Sequence, residues 1–97
     1  MAAYLIANLK VHDADGFANY RQQVEPMITA FGGRYLVRGG ALDHVEGRLE
    51  VERLIIVEFP EMAMLRAFYG SPEYTPLIAL RQACTTSDVT IVDGYSP

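Results

Sequence analysis

Cysteine and histidine are scarce in this sequence of 97 residues. The single cysteine, Cys84, has no partner for an internal disulfide. One cysteine and two histidines are also too few for the ligand cluster of a structural zinc site. Glycine pairs occur at Gly32-Gly33 and Gly39-Gly40, but they lack the Lys-Ser/Thr or the third glycine of a phosphate-binding loop. We therefore expect no metal ion, no nucleotide and no other cofactor.

Positive charge is also limited. Eight Lys and Arg residues stand against twelve Asp and Glu residues, which gives a net charge of -4, and the cations are scattered along the chain. This distribution argues against binding to a nucleic acid backbone. No apolar run approaches the ~20 residues needed to cross a bilayer, and the first residues show no secretory signal pattern. We expect a cytoplasmic protein with neither nucleic acid nor membrane as a partner.

Hydrophobic residues, in contrast, make up 51% of the chain. A chain of this length holds one core and one domain, residues 1–97, and folding removes roughly 65% of the surface of the unfolded chain. The apolar fraction exceeds what a small monomer hides easily. We expect a second copy of the chain to cover part of its surface.

The apolar patterns follow one another in the order βαββαβ. Asp13 precedes a stretch with apolar residues three and four apart, where its carboxylate caps a helix that ends at Gly32-Gly33. A second helical layer is interrupted at Gly70 and resumes after Ser71. This order predicts an α+β fold of the ferredoxin-like type with a four-stranded antiparallel sheet. The predicted strands are Ala3–Val11, Arg34–Arg38, Val51–Phe59 and Asp88–Gly94.

Two helical layers cover only one side of such a sheet. Strict alternation assigns to the helix side Leu5, Ala7, Leu9, Tyr35, Val37, Ile55, Val57, Phe59, Val89 and Ile91. It assigns to the other side Tyr4, Ile6, Asn8, Arg34, Leu36, Arg38, Leu54, Ile56, Glu58, Thr90 and Val92. The second set mixes aliphatic with polar residues, which suits a symmetric homodimer that keeps a polar pocket between its subunits.

One pair of charged residues stands out as a candidate for binding. A hairpin that turns near Gly47-Arg48 places Arg38 opposite Glu58, where the guanidinium has further donors for a carboxylate or carbonyl of a ligand. A plainer interpretation is an ion pair that satisfies itself, with the nearby tyrosines as core residues. The candidate ligand-binding residues are Tyr4, Asn8, Tyr20, Arg38 and Glu58.

Two further arginines have a structural interpretation. We expect Arg53 and Arg81 to contact the carboxylates of Glu73 or Asp88 and thereby attach the broken helix to the sheet.

Short motifs along nearly the whole chain carry a family resemblance. They are Ala3-Tyr4, Asp13, Tyr20, Gly32–Gly39, Glu46-Gly47, Arg53, Glu58-Phe59, Ser71–Tyr74 and Arg81. These motifs resemble a small bacterial family known as domain of unknown function 1330. The resemblance implies a ferredoxin-like subunit of the dimeric α/β-barrel superfamily, which includes cofactor-free monooxygenases, haem-degrading enzymes and isomerase-like proteins. Such varied relatives do not imply one activity.

Two functional hypotheses follow. In the first, a dimer binds a small neutral or anionic metabolite. If this dimer is an enzyme, it acts on the metabolite without a metal. In the second, the protein is a non-catalytic dimeric module whose polar residues set the register of its interface.

Overall fold

The computed structural model describes residues 1–97 and contains four strands and three helices. In chain order these are β1 (Ala3–Val11), α1 (Ala14–Ala30), β2 (Arg34–Arg38), β3 (Leu54–Phe59), α2 (Met62–Tyr69), α3 (Thr75–Cys84) and β4 (Thr85–Asp93). All neighbouring strands are antiparallel, in the order β2-β3-β1-β4. The predicted ferredoxin-like α+β fold is confirmed. None of the helices combines the length and the apolar character needed to span a membrane.

The helix boundaries follow from local chemistry. Asp13 Oδ1 accepts the backbone N–H of Gly16 at 3.2 Å and so caps α1. Gly32 follows the helix with a φ of 87°, which a residue with a Cβ adopts at a cost. Between α2 and α3, Ser71 Oγ accepts the backbone N–H of Tyr74 at 3.2 Å. This turn places Tyr74 over the sheet at the point where the second helical layer is interrupted.

The core lies between the helices and one side of the sheet. Along β1, every second residue from Ala3 to Leu9 is buried on this side. The Phe68 ring of α2 lies between Phe59 and Tyr74, at centroid distances of 5.5 and 4.4 Å. These contacts attach α2 and the following turn to the centre of the sheet.

An irregularity in β2 moves its last residues to the other side of the sheet. Tyr35 pairs with Val57, whereas Arg38 pairs with Ile55, so β2 holds one residue more than β3 over this interval. Paired residues point to the same side of a sheet. Arg38 therefore faces the helices, and Val37 faces away from them. The side predicted for these two residues is wrong, because strict alternation assumes a strand without a bulge.

The connection between β2 and β3 is longer than predicted, and β3 begins only at Leu54. Residues 40–53 of this connection form no helix or strand. Asn8 of β1 binds the end of this connection that leads into β3. Its Nδ2 donates to the carbonyl of Glu50 at 2.7 Å, and its Oδ1 accepts the N–H of Glu52 at 3.1 Å. The side-chain amide substitutes for the backbone pairing that a longer β3 would have provided.

The side of the sheet that faces away from the helices, here called the open face, has no cover within the chain. Leu36 and Val92 are 46% and 44% exposed there. Tyr4, Ile6 and Ile56 on the same face are half-buried. The open face thus presents aliphatic side chains to solvent beside a group of polar residues.

Candidate functional site

A cavity of about 50 Å³ lies between the sheet and the helices. Fourteen of its seventeen lining residues are hydrophobic, and they come from all four strands and from the helices that cover them. The cavity is lined by Leu5, Ala7, Leu9, Phe17, Tyr20, Arg21, Val24, Ile28, Tyr35, Arg38, Ile55, Val57, Phe59, Phe68, Tyr74, Arg81 and Val89. An apolar cavity with a few polar groups converging on it is the usual form of a small-molecule site.

A buried polar cluster forms one part of this lining. Arg81 of α3 is only 5% exposed, and its Nη1 donates to the hydroxyl of Tyr74 at 2.9 Å. That hydroxyl lies 2.8 Å from the hydroxyl of Tyr20 on α1. Arg81 also donates from Nη2 to Tyr69 Oη at 3.4 Å and from Nε to Ser87 Oγ at 3.3 Å. The cluster connects α1, α2, α3 and β4 through one guanidinium.

No carboxylate takes part in this cluster. The three ion pairs of the protein are Lys10–Glu52, Arg34–Glu58 and Arg38–Glu25, and none involves Arg81. A buried charge is ordinarily paired with an opposite charge. The expectation that Arg81 contacts Glu73 or Asp88 is wrong, because the side chain turns inward to hydroxyl groups.

The acid–base behaviour of the cluster follows from its burial. Burial raises the pKa of Tyr20, and burial together with the neighbouring Tyr20 raises the pKa of Tyr74 far above the ordinary tyrosine value. Burial opposes the charge of Arg81, but the oxygens of Tyr69, Tyr74 and Tyr20 outweigh it, and the pKa of the guanidinium is raised. At neutral pH Tyr20 and Tyr74 are therefore uncharged, whereas Arg81 is a cation.

Two more arginines line the cavity and reach solvent. Arg38 makes a two-pronged ion pair with Glu25 of α1, at 3.1 Å from Nη1 to Oε1 and 3.0 Å from Nη2 to Oε2. Its guanidinium carbon also lies 4.6 Å from the centre of the Tyr35 ring. Arg21 is exposed on α1, one turn before Glu25. The predicted pairing of Arg38 with Glu58 is wrong, because Glu58 pairs with Arg34 in the observed register and the bulge in β2 turns Arg38 to the helix side.

The remaining sequence candidates lie on the opposite side of the sheet. Glu58 accepts a hydrogen bond from Arg34 Nε at 2.8 Å and another from the Tyr4 hydroxyl at 3.2 Å. Asn8 holds the connection between β2 and β3 through both ends of its amide. Of the five candidates, only Tyr20 and Arg38 line the cavity. Tyr4, Asn8 and Glu58 belong to the open face or its edge.

Arg53 also departs from its predicted structural role. Its guanidinium carbon lies 5.2 Å from the centre of the Phe17 ring, and its buried Nε has no hydrogen-bond partner. It contacts neither of the expected carboxylates.

Arg81 is the cavity residue that sequence reasoning undervalued. The signal was present: Arg81 follows Tyr74 and Leu77 on the apolar stripe of a helix, where a charged residue with no carboxylate nearby along the chain is unusual. Its three hydroxyl partners come from α2, from the turn before α3 and from β4, and this convergence is visible only in three dimensions.

Comparison with solved structures supports the same architecture. A protein of unknown function from Rhodopseudomonas palustris is 17% identical, with a TM-score of 0.80 over 99% of this chain and 84% of that one. SnoaB, a cofactor-independent oxygenase from Streptomyces nogalater, is 13% identical, with a TM-score of 0.65 over 99% and 95% of the two chains. A dimeric ferredoxin-like protein of unknown function from Jannaschia is 12% identical, with a TM-score of 0.64 over 97% and 100%.

At such low identities these likenesses concern the fold alone. No match was found among curated proteins. The model of one family, described as a domain of unknown function (DUF1330), matches residues 2–95. Since this match covers nearly the whole sequence, the chain belongs to the DUF1330 family.

Proposed function

We propose that this protein binds a small molecule in the cavity between its sheet and its helices. One observation carries the proposal: a guanidinium and two tyrosine hydroxyls converge on a cavity whose other lining is almost entirely apolar. The apolar lining favours a hydrocarbon body, and the polar cluster provides a fixed point for one polar group. Arg21 and Arg38 supply positive charge where the lining reaches solvent.

The cavity offers few groups that could transfer a proton. The cavity lining contains tyrosines and arginines as its only ionisable residues, so any proton transfer there would rest on Tyr20, Tyr35 or Tyr74. A relative of the same fold is a cofactor-independent oxygenase. That relative supports the view that this fold is suited to chemistry on a bound molecule without a cofactor.

The test of binding is a thermal-shift screen of small metabolites, because a ligand that binds only the folded state raises the melting temperature. Ala7→Val adds methyl groups to the cavity wall from a residue that is 5% exposed. We expect hits of the screen to lose their effect in this variant and to keep it in Ala63→Val, the same change on the exposed surface of α2. Hits that stabilise both variants equally would place binding outside the cavity.

We also propose that the chain forms a homodimer through its open face. The exposed Leu36 and Val92, with the half-buried Ile6 and Ile56, form an apolar surface that water disfavours. The similar protein from Jannaschia is described as dimeric. Tyr4, Glu58 and Arg34 form a hydrogen-bonded group on the same face, and this observation supports the second role, in which polar residues set the register of an interface.

Sedimentation equilibrium tests the dimer. Ile56→Lys introduces a charge at the centre of the open face, so we expect it to produce monomers. Ala63→Lys, on the exposed surface of α2, is the matched control and should leave the dimer intact. A monomeric native protein at micromolar concentration, or an Ile56→Lys variant that stays dimeric, would contradict the proposal.

A further inference from the structure

The surroundings of the Arg81 guanidinium indicate which polar group the ligand carries. Resting on the proposed binding function, we propose that the ligand is a compact organic anion, and that its carboxylate pairs with the guanidinium of Arg81 while its hydrocarbon part occupies the cavity.

The buried polar cluster carries a positive charge that the chain does not balance. Arg81 is only 5% exposed and has no carboxylate partner within the chain. Its three hydrogen-bond acceptors are the hydroxyls of Tyr69, Tyr74 and Ser87, which are dipoles and carry no balancing charge. A buried cation without a counterion favours a ligand that brings a negative charge.

The guanidinium of Arg81 also keeps donors free for a ligand. A guanidinium has five N–H donors, and the three hydrogen bonds of Arg81 leave two of them without an acceptor. The free N–H groups belong to Nη1 and Nη2, because each of these nitrogens carries two hydrogens and uses one. A carboxylate offers two oxygens on one side, and the fork of a guanidinium fits such a group better than it fits a single carbonyl.

The lining of the cavity as a whole is positively charged. The cavity residues include Arg21, Arg38 and Arg81 and no acidic residue. Glu25 pairs with Arg38 outside the lining, so it neutralises one of the three cations from the solvent side. In a protein with a net charge of -4, this lining is a local region of positive charge, which attracts anions and disfavours cations.

The size of the cavity limits the ligand. Its volume of about 50 Å³ corresponds to roughly four water molecules by the measure in which one water needs 10–15 Å³. An aromatic acid exceeds this space, because a cavity that binds benzene alone has a volume of about 150 Å³. A short branched monocarboxylate suits it after small side-chain movements. A nucleotide or a long fatty acid exceeds it.

A purely structural role for Arg81 makes a different prediction. If the guanidinium only connects α3 to Tyr69 and Ser87, the protein has no preference for an acid over a neutral molecule of the same shape. The experiment therefore compares matched pairs of probes, namely isobutyrate with isobutyramide and isovalerate with isovaleramide.

Binding is measured on the full chain by nitrogen–proton NMR titration at neutral pH in a buffer free of carboxylates. We expect at least one acid to shift the backbone N–H signals of cavity residues such as Leu5 and Val57. The corresponding carboxamide should bind about tenfold or more weakly, because it loses a charge-assisted hydrogen bond. Arg81→Met should reduce the affinity for the acid to that for the amide. Arg81→Lys keeps the charge and should retain part of the preference.

The outcomes separate this inference from the proposed function. Acids and amides that shift the cavity signals with equal affinity would overturn the role of Arg81 and leave small-molecule binding intact. An acid preference that survives in Arg81→Met would do the same. If no probe shifts the cavity signals while the metabolite screen gives hits that Ala7→Val abolishes, the monocarboxylate class is wrong. If that screen is empty as well, the binding function itself fails. The comparison of acid with amide uses the unaltered protein, so the test holds even if an Arg81 variant does not fold.

Discussion

Removing the hydroxyl of Tyr74 is the sharpest test of the buried polar cluster. This hydroxyl accepts a hydrogen bond from Arg81 at 2.9 Å and shares another with Tyr20 at 2.8 Å. Tyr74→Phe keeps the ring against Phe68 but deletes both hydrogen bonds, one of them to a charged group. It also leaves the Tyr20 hydroxyl and a buried N–H of Arg81 without this partner. We expect the free energy of unfolding to fall by about 2–4 kcal/mol.

Tyr20→Phe is the matched control, because it removes only the neutral hydrogen bond. Tyr74 still accepts from Arg81 in that variant, so the expected loss is about 1 kcal/mol. The double variant should be no less stable than Tyr74→Phe alone, since the Tyr20 hydroxyl has already lost its partner there. The two substitutions should therefore show a coupling energy of about 1 kcal/mol.

The assay is urea unfolding at one fixed protein concentration, because association contributes to the stability of a dimer. Equal effects of the two single substitutions, or effects that simply add in the double variant, would refute the chain of hydrogen bonds from Tyr20 through Tyr74 to Arg81.

Three further predictions concern charged groups and metals. Arg38→Ala should lower the free energy of unfolding by at most about 1 kcal/mol in urea unfolding, because Arg38 and Glu25 are both partly exposed; a loss of 3–5 kcal/mol would indicate a buried pair. Hydrogen bonding from Arg34 lowers the pKa of Glu58. The ionised Glu58 therefore stabilises the fold above the ordinary carboxyl pKa, and this stabilisation is lost as the pH falls through the lowered pKa. The melting temperature of Glu58→Gln should consequently change less between pH 7 and pH 3 than that of the unaltered protein, and parallel curves would contradict this. Because no group of three potential metal ligands exists in the structure, EDTA should leave the melting temperature and the acid affinity unchanged, and a loss restored by a divalent ion would contradict the prediction.

The sequence predicted those parts of the fold that depend on local patterns. Asp13 and Gly32 mark the two ends of α1, and their roles are readable from residue type and position. Ser71 closes the turn that precedes α3 by accepting the N–H of Tyr74, and the helix itself begins only at Thr75. The order of strands and helices followed from apolar periodicity in the same way.

The site was less predictable, because it depends on the bulge in β2 and on hydroxyl groups from several elements that meet at Arg81. Alternation assigned Arg38 to the side of Glu58, and an extra residue in β2 reversed that assignment. Asn8 has the composition of a pocket residue, yet the loop from β2 to β3 uses its whole amide. Neither event changes the apolar pattern, so periodicity does not report it.

Arg81 illustrates the other limit. Its position on a buried helical stripe was visible, but the absence of a carboxylate around it required the positions of Glu73 and Asp88 in space. Residue type alone favoured the ordinary ion pair, which is how most partly buried arginines are satisfied.

The bulge in β2 has a consequence for how this protein can change. The extra residue is Leu36, which lies between Tyr35 and Val37 on an edge strand and is 46% exposed. Because of this one residue, Tyr35 and Arg38 lie three positions apart in the sequence and still face the same side of the sheet. Deleting Leu36 would remove the bulge and leave Val37 opposite Ile56 and Arg38 opposite Ile55, so both side chains would keep their present sides of the sheet. The strand can therefore lose this residue without moving the arginine away from the cavity.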